Sequence, residues 1–265
     1  MPELPDVANL KRYFDATAPG RIVERSRVTD ERILGGASAQ LVARRLKGRK
    51  FEGTHRHGKF LFASISGNGW LILHFGMTGD LALYKDEDDR PRHARLVLDF
   101  EDCYHLAFVC MRLLGLVSIT DDIEEFLQER GVGPDSLGDD LDLERFLDIF
   151  AWRRGAVKGA LLNQSLVSGI GNVYADEILF ESGLRPDTKI NRLSRGELET
   201  LYHNLRVVLE NAAAPDESLD ELPRGSILAH RGEGGTCPRC SAGIRRMKVA
   251  GRSSYYCPKC QRKRG

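Results

Sequence analysis

The stretch Cys237-Pro-Arg-Cys240, followed after sixteen residues by Cys257-Pro-Lys-Cys260, decides the fold of the last part of the chain. Two C-x-x-C pairs at this separation fit four thiolates around one tetrahedral zinc ion that holds a two-stranded ribbon. Segments 245–248 and 253–256 supply the strands. Disulfides or a redox pair are the alternatives, but no secretory signal pattern opens the sequence. The spacing therefore predicts a zinc ribbon over residues 223–265.

Charge is unevenly distributed in this chain of 265 residues, whose net charge is only +1. Residues 224–265 carry eleven Lys and Arg against one acid, which is typical of a module that binds a polyanion. Residues 121–148 carry eleven acids against two arginines, and we interpret residues 121–150 as a solvated acidic linker. No apolar run is long enough to span a membrane, so we expect a cytoplasmic protein associated with nucleic acid.

Upstream of the ribbon, hydrophobic periodicity predicts a helical domain over residues 151–222. Segments 156–165, 172–182 and 194–213 carry helical spacing, and glycine and proline residues separate them. The run Gly-Ile-Gly-Asn that ends at residue 172 opens the second helix, so its amides lie at the positive end of the helix dipole. This position is suited to binding a phosphate.

Residues 1–120 instead carry paired strand signals behind one leading helix. Segments 60–65 and 70–75 flank Ser-Gly-Asn-Gly, and segments 95–100 and 104–109 flank Glu-Asp-Cys. Such pairs predict β-hairpins in an antiparallel sandwich. The predicted fold class is therefore α+β and multidomain, with a sandwich, a helical domain and a ribbon. Cys103 and Cys110 fall in the strand patterns and are expected to be buried thiols.

The amino terminus has a chemical interpretation and a structural one. Removal of Met1 would leave the secondary amine of Pro2 beside the Glu3 carboxylate. An amine with a pKa of about 8 is a nucleophile at neutral pH, and its condensation with an aldehyde carbon gives an iminium. The alternative is an ordinary start of a helix over residues 3–18, because proline and acids favour the first turn.

Five motifs occur in the order expected for one family. They are MPELPD at residues 1–6, HGKFL at 57–61, HFGMTG at 74–79, SGIGNVYADEILF at 168–180 and YYCPKC at 255–260. Together they resemble the formamidopyrimidine-DNA glycosylase and endonuclease VIII family, base-excision enzymes that act on oxidised bases. The resemblance covers nearly the whole chain and is closer to the formamidopyrimidine-DNA glycosylase branch. It implies a helix–two-turns–helix motif in the helical domain and an enzyme that binds duplex DNA. We expect a monomer, because such an enzyme must encircle the duplex.

The resemblance also implies the residues of the reacting centre. Pro2 is the expected nucleophile, and Glu3 assists opening of the sugar ring. Lys59 holds phosphate and keeps the amine unprotonated through like-charge repulsion. Arg252, at the ribbon tip, reaches the phosphates beside the flipped nucleotide; alternatively, it is an ordinary exposed hairpin arginine. The expected activity combines base removal with β,δ-elimination through an iminium on Pro2.

Phosphate contacts are implied for Asn172 and, with solvated surface residues as the alternative, for His93 and Arg153. Their positions match DNA-contact positions of the family. Contacts of this kind fix the register of a protein on DNA but carry no sequence information.

Three further positions match the side chains that fill the gap left by a flipped base. They are Met77, Arg112 and Leu114, and core packing is the alternative for Met77. Residues 110–115 read Cys-Met-Arg-Leu-Leu-Gly where the family has Asp-Pro-Arg-Arg-Phe-Gly. The aromatic wedge is therefore absent, and the preferred opposite base stays open.

Two alternatives remain for the activity. The motif context favours oxidised purines, namely 8-oxoguanine and formamidopyrimidines. Residues 212–237 form a short segment without the threonine-rich lesion-capping loop of that branch, so an endonuclease VIII-like preference for oxidised pyrimidines stays open. The second alternative is a non-catalytic protein that binds damaged DNA, although such a protein has no need of Pro2 and Glu3.

Overall fold

The computed structural model describes residues 1–215, 225–232 and 234–262, and its first unit, Met1–Gly131, begins with helix α1 (Leu4–Thr17). The Asp6 carboxylate accepts a hydrogen bond of 2.7 Å from the Glu3 backbone N–H, which satisfies a donor at the helix start. Phe14 is fully buried and meets the Phe51 ring edge-on, with centroids 5.1 Å apart. The leading helix thus follows the prediction for residues 3–18.

Two antiparallel four-stranded sheets follow the helix. One sheet has the order β1–β6–β7–β5, and the other has the order β2–β3–β4–β8. The strands are β1 (Val23–Val28), β2 (Phe51–His57), β3 (Phe60–Ile65), β4 (Trp70–His74), β5 (Gly79–Tyr84), β6 (Ala94–Phe100), β7 (His105–Cys110) and β8 (Leu116–Thr120). Leu61 and Leu73 of the second sheet share a buried cluster with Leu98 and Phe108 of the first. This is the predicted sandwich.

Both predicted hairpins are present. Phe60 pairs with His74 across β3 and β4, and Leu98 pairs with Leu106 across β6 and β7. The prediction for the two strand cysteines was half right. Cys110 is buried, whereas Cys103 is exposed in the β6–β7 turn with φ +63, because the turn takes the cysteine out of the strand.

The second unit, Val132–Gly265, contains three predicted helices and the ribbon. They are α5 (Val157–Leu161), α6 (Asn172–Glu181) and α7 (Arg195–Ala213), followed by the paired strands β9 (Arg245–Val249) and β10 (Arg252–Tyr256). Helix α5 is shorter than its predicted span of 156–165. The Asn163 side chain accepts hydrogen bonds from the backbone N–H and the hydroxyl of Ser165, which favours a turn over another helical turn.

The interpretation of residues 121–150 as a solvated linker was wrong for much of its length. Helices α3 (Ile123–Glu129) and α4 (Leu143–Ala151) form there, and Phe126, Phe146 and Phe150 are buried. Most of the acids are exposed on the outer helix faces, at the caps or in the connecting loop, and Asp135 is buried in the segment between the two helices. A count of charge alone therefore concealed an amphipathic pattern. A further helix that the sequence reasoning missed is α2 (Ala39–Leu46), which Ser38 caps through the Leu41 N–H.

Among the described ranges 1–215, 225–232 and 234–262, no helix combines the length and the apolar character needed to cross a membrane.

Candidate active site

A cavity of about 400 Å³ lies at the amino terminus of the first unit. It is lined by Met1, Pro2, Asp6, Asn9, Leu10, Met77, Thr78, Gly79 and Asp80. Two residues that the sequence reasoning singled out separately, Pro2 and Met77, therefore border the same space. The rest of the lining mixes polar and apolar side chains, so the cavity offers a ligand hydrogen-bonding groups as well as apolar surface.

Two charged residues of the predicted reacting centre are buried in the same unit. Glu3 is 2% exposed and Lys59 is 8% exposed. Lys59 lies in the turn between β2 and β3, which Gly58 makes possible with φ +55. A solvated surface carboxylate or lysine would have been far more exposed. Both charged groups therefore lie inside the unit, where a charge needs polar partners.

His74 is a candidate that the sequence reasoning missed, although it begins the HFGMTG motif. It ends β4, and its Nδ1 accepts the Gly76 N–H at 3.3 Å while its ring lies 4.9 Å from the Phe60 ring. Burial lowers the pKa of the imidazole to about 4, and the charges of Lys59 and Arg130 act in the same direction. At neutral pH the ring is therefore neutral with its proton on Nε2, which makes that nitrogen a donor.

The predicted wedge residues emerge at one end of two paired strands. Gly79, at the start of β5, pairs with Cys110, at the end of β7. The loops that carry Met77 and Arg112 therefore lie at the same end of these two strands. The Arg112 N–H lies 3.4 Å from the Thr78 hydroxyl oxygen. A Cβ at Gly76, whose φ is +59, would lie 2.3 Å from the Leu114 carbonyl oxygen. Only glycine allows the two loops to approach this closely.

His93 borders the same loop. Its φ is +68, and its carbonyl oxygen accepts the Cys110 N–H at 3.0 Å. Arg95 lies close by, with its Nη2 3.3 Å from the His93 Nδ1 and its Nε donating to the Cys110 carbonyl oxygen at 3.0 Å. The structure therefore brings His93 together with the Arg112 loop within the first unit.

The other predicted DNA contacts lie in the second unit. Asn172 is the first residue of α6, and its Oδ1 is buried without a hydrogen-bond partner in the described part of the chain. Gln164 orders the preceding turn, because its side chain accepts the Gly169 N–H and donates to the Ile170 carbonyl. Arg153 is exposed after α4, and Arg252 begins β10 at the ribbon tip. A helix start ordered in this way offers amides to an anion.

A buried ionic network joins α6 to β10. Asp176 Oδ1 accepts from Lys158 Nζ at 2.6 Å, and Oδ2 accepts from Arg231 Nη2 at 2.9 Å and the Tyr255 N–H at 3.1 Å. Lys158 and Asp176 are fully buried, and Lys158 also donates to the Ser253 carbonyl at 3.3 Å. One carboxylate, a turn after Asn172, thus holds the strand that begins with Arg252.

Asp176→Asn is expected to lower the free energy of unfolding by about 3–5 kcal/mol, because it leaves two cations without their carboxylate. Urea unfolding of the whole chain measures the change. The matched control is Lys11→Met, which removes a partly exposed i,i+4 ion pair with Asp15 and is expected to cost about 0.5 kcal/mol or less. A similar small loss for both variants would contradict the assignment.

The four ribbon cysteines form the predicted metal site. The sulfur atoms of Cys237, Cys240, Cys257 and Cys260 all lie within 4.8 Å of one another. The Cys237–Cys260 and Cys240–Cys257 sulfur distances are 3.7 and 3.5 Å. A tetrahedral zinc ion with four thiolates requires sulfurs roughly 3.8 Å apart, so the donor set fits one structural zinc.

Comparison with known proteins gives one consistent result. Residues 1–117 match the formamidopyrimidine-DNA glycosylase N-terminal domain, residues 132–221 its H2TH domain, and residues 234–262 the zinc finger found in FPG and IleRS. A formamidopyrimidine-DNA glycosylase from Halorhodospira halophila is 32% identical over 276 residues, covering 99% of this chain and all of the relative. One from Solibacter usitatus is 33% identical over 273 residues, with coverages of 99% and 100%.

Solved structures agree with the sequence relatives. Lactococcus lactis Fpg bound to DNA containing N7-benzyl-Fapy-dG superposes with a TM-score of 0.90 at 27% identity, covering 99% of this chain and all of the other. The same coverage, identity and TM-score hold for that enzyme bound to DNA containing an oxidised pyrimidine.

Proposed function

The chain belongs to the formamidopyrimidine-DNA glycosylase family, and we infer from this membership that it is a DNA glycosylase of base-excision repair with an associated lyase activity. We propose that its partner is duplex DNA with damaged bases or abasic sites, since the solved Lactococcus lactis Fpg complexes hold DNA with a modified formamidopyrimidine or an abasic site. The observation that supports the reacting centre best is the cavity shared by Pro2 and Met77, with Glu3 and Lys59 buried in the same unit. A nucleophile and a base-displacing side chain belong together in such an enzyme.

We propose that the reaction begins once Met1 is removed. The neutral Pro2 nitrogen attacks C1′, the bond from C1′ to the damaged base breaks, and the base leaves with a proton. Glu3 assists cleavage of the bond between C1′ and the ring oxygen, which generates an iminium between Pro2 and the opened sugar. Lys59 keeps the amine unprotonated before attack, because a nearby positive charge disfavours a second one.

The iminium then promotes strand cleavage. It acidifies the C2′ proton, whose loss expels the 3′-phosphate with the electrons of its C–O bond. A second elimination expels the 5′-phosphate and leaves a one-nucleoside gap. Zinc takes no part in these steps, because four thiolates leave no coordination position open for water or substrate. Its chemistry is to hold the ribbon folded.

The remaining predicted residues hold the DNA. Asn172 and Arg252 bind phosphates beside the lesion, and His93 and Arg153 contact the backbone further away. Met77, Arg112 and Leu114 occupy the gap left by the flipped nucleotide. We propose that residues 1–120 form the catalytic domain, residues 151–222 the helical DNA-binding domain and residues 223–265 the zinc ribbon. The boundary at 222/223 lies outside the described residues.

We further propose that the protein acts as a monomer in the cytoplasm, associated with the nucleoid. Preference between damaged purines and pyrimidines depends on the segment between residues 212 and 237, of which 216–224 and 233 lie outside the described residues. Oxidised purines are the proposed substrates, because the family name and the HFGMTG and YYCPKC motifs point to that branch. The alternative substrates are oxidised pyrimidines, and one of the Lactococcus lactis Fpg structures contains DNA with such a base.

Borohydride trapping tests this function. The protein is incubated with duplexes that carry 8-oxoguanine, thymine glycol or an abasic site, and borohydride reduces any iminium to a stable covalent adduct. We expect adducts with the 8-oxoguanine and abasic duplexes, and fewer with thymine glycol. Stronger trapping with thymine glycol would favour the pyrimidine alternative. The absence of adducts with all three, from protein whose mass shows that Met1 is gone, would leave a non-catalytic binder of damaged DNA.

A further inference from the structure

Met111 is the most exposed large hydrophobic residue of the described part of the first unit. Its exposed fraction is 54%, and that of Leu114 is 53%. Both lie in the loop between β7 and β8, on either side of Arg112. Exposed apolar side chains that flank a cation are costly to leave in water, and their concentration at one loop indicates an interaction surface.

The loop is held in one conformation by its own contacts. Leu113 has φ +54, and its side chain packs against the main core cluster. The Cys110 thiol accepts the Gly115 N–H at 3.3 Å, and Arg95 donates to the Cys110 carbonyl. Because Leu113 turns inward, its neighbours stay outside. The exposed side chains are therefore presented by a preordered loop, which lowers the entropy cost of binding.

The position of the loop identifies what it meets. Because Gly79 pairs with Cys110, Met111 lies at the same end of the strands as Met77. Met77 lines the cavity together with Pro2, so Met111 lies beside that cavity. Under the proposed function this cavity receives the flipped nucleotide, so a surface beside it faces the base pairs that the nucleotide leaves. An apolar side chain there has a base pair as its natural contact.

We propose that Met111 is a second apolar wedge, which inserts with Leu114 on either side of Arg112 and fills the space that a single aromatic ring would occupy. This proposal rests on the proposed glycosylase function. Methionine suits the task because its unbranched chain adapts in shape and its sulfur makes favourable contacts with aromatic faces. Two flexible aliphatic side chains between stacked bases offset part of the cost of unstacking.

The test uses the whole zinc-loaded protein and compares Met111→Ala with Met111→Leu. Excision is measured under single-turnover conditions on an 8-oxoguanine duplex, and strand cleavage on a duplex with a preformed abasic site. Met111→Ala is expected to slow excision by about tenfold, since it removes roughly three buried heavy atoms from the wedge. Cleavage at the abasic site changes much less, because no base has to leave the stack. Met111→Leu, which keeps the apolar volume, is expected to stay within about twofold.

A second readout follows the base stack directly. 2-Aminopurine placed next to 8-oxoguanine becomes brighter when its neighbour is unstacked, and Met111→Ala is expected to reduce that rise. Val207→Ala, which shortens another exposed apolar side chain on α7, should leave both readouts unchanged. The proposal would be overturned if Met111→Ala excised 8-oxoguanine at the wild-type rate, or if its rates on both duplexes fell by the same factor. Wild-type protein that fails to trap any duplex would instead overturn the glycosylase function, so the two failures are distinguishable.

Discussion

Protein that retains Met1 is expected to lose borohydride trapping and base excision by at least about a thousandfold, because loss of a nucleophile removes most of the catalysis that depends on it. With Met1 attached, the Pro2 nitrogen belongs to an amide and has no lone pair available for attack. Insertion of one glutamate between Met1 and Pro2 tests the same point, since a large residue after Met1 prevents its removal and keeps the Pro2 nitrogen in an amide. Intact-mass measurement establishes the terminus of each preparation before trapping is compared.

The control for this prediction separates chemistry from binding. Affinity for a duplex with a tetrahydrofuran abasic analogue should fall only slightly, because the proposed phosphate contacts at Asn172 and Arg252 are unchanged. Pro2→Gly with Met1 removed keeps a primary amine and is expected to retain reduced trapping. Full trapping by chains with a blocked terminus would mean that another amine, with Lys59 the first to examine, forms the iminium.

Local patterns predicted the elements whose determinants are local. The ribbon follows from cysteine spacing, and the β3–β4 and β6–β7 hairpins follow from alternating apolar residues around short turns. The prediction of a solvated linker at residues 121–150 was wrong because charge dominates the composition, whereas a few phenylalanines determine the packing. Phe146 and Phe150 recur at i,i+4, a pattern that was available in the sequence and outweighs the acids once α4 has a surface to cover.

Features that depend on distant residues were not predictable from one sequence. Asp176 is an ordinary helical acid until folding brings Lys158, Arg231 and the Tyr255 amide around it from three other segments. The exposure of Met111 could not be predicted from its position after a strand, because it depends on Leu113 turning inward with positive φ. His74 was recognisable only as part of a motif. Its neutrality depends on burial and on the charges of Lys59 and Arg130.

Loss of the zinc site is expected to have the second large effect on borohydride trapping. Cys257→Ser, or removal of zinc by a chelator, is expected to unfold the ribbon and to reduce trapping by at least about a hundredfold, because misplacement of a positioning group by an ångström can cost that much. The ribbon has few apolar residues of its own, and among its strand residues Val249 and Tyr256 are the buried hydrophobics in the described part. Zinc binding of about 10–16 kcal/mol therefore supplies most of its folding free energy.

Loss of the ribbon removes a defined set of contacts. The Cys257 N–H donates to the Gln261 side chain, and Gln261 donates to the Leu184 carbonyl after α6, both at 2.8 Å. Without zinc these contacts are lost and the two ribbon strands separate, so the remaining contact of Asp176 with the Tyr255 N–H does not by itself fix the position of Arg252. Most of the helix content should remain, because α4 and α7 also pack on each other, with the Phe146 and Tyr202 ring centroids 5.4 Å apart. Phe180 of α6 is expected to lose its packing against the ribbon cysteines. Cys103→Ser, which changes the exposed turn cysteine, is the matched control and should keep one bound zinc and full trapping. Metal analysis and circular dichroism decide the outcome, and a zinc-free protein with intact trapping would show that Arg252 is not held through the ribbon.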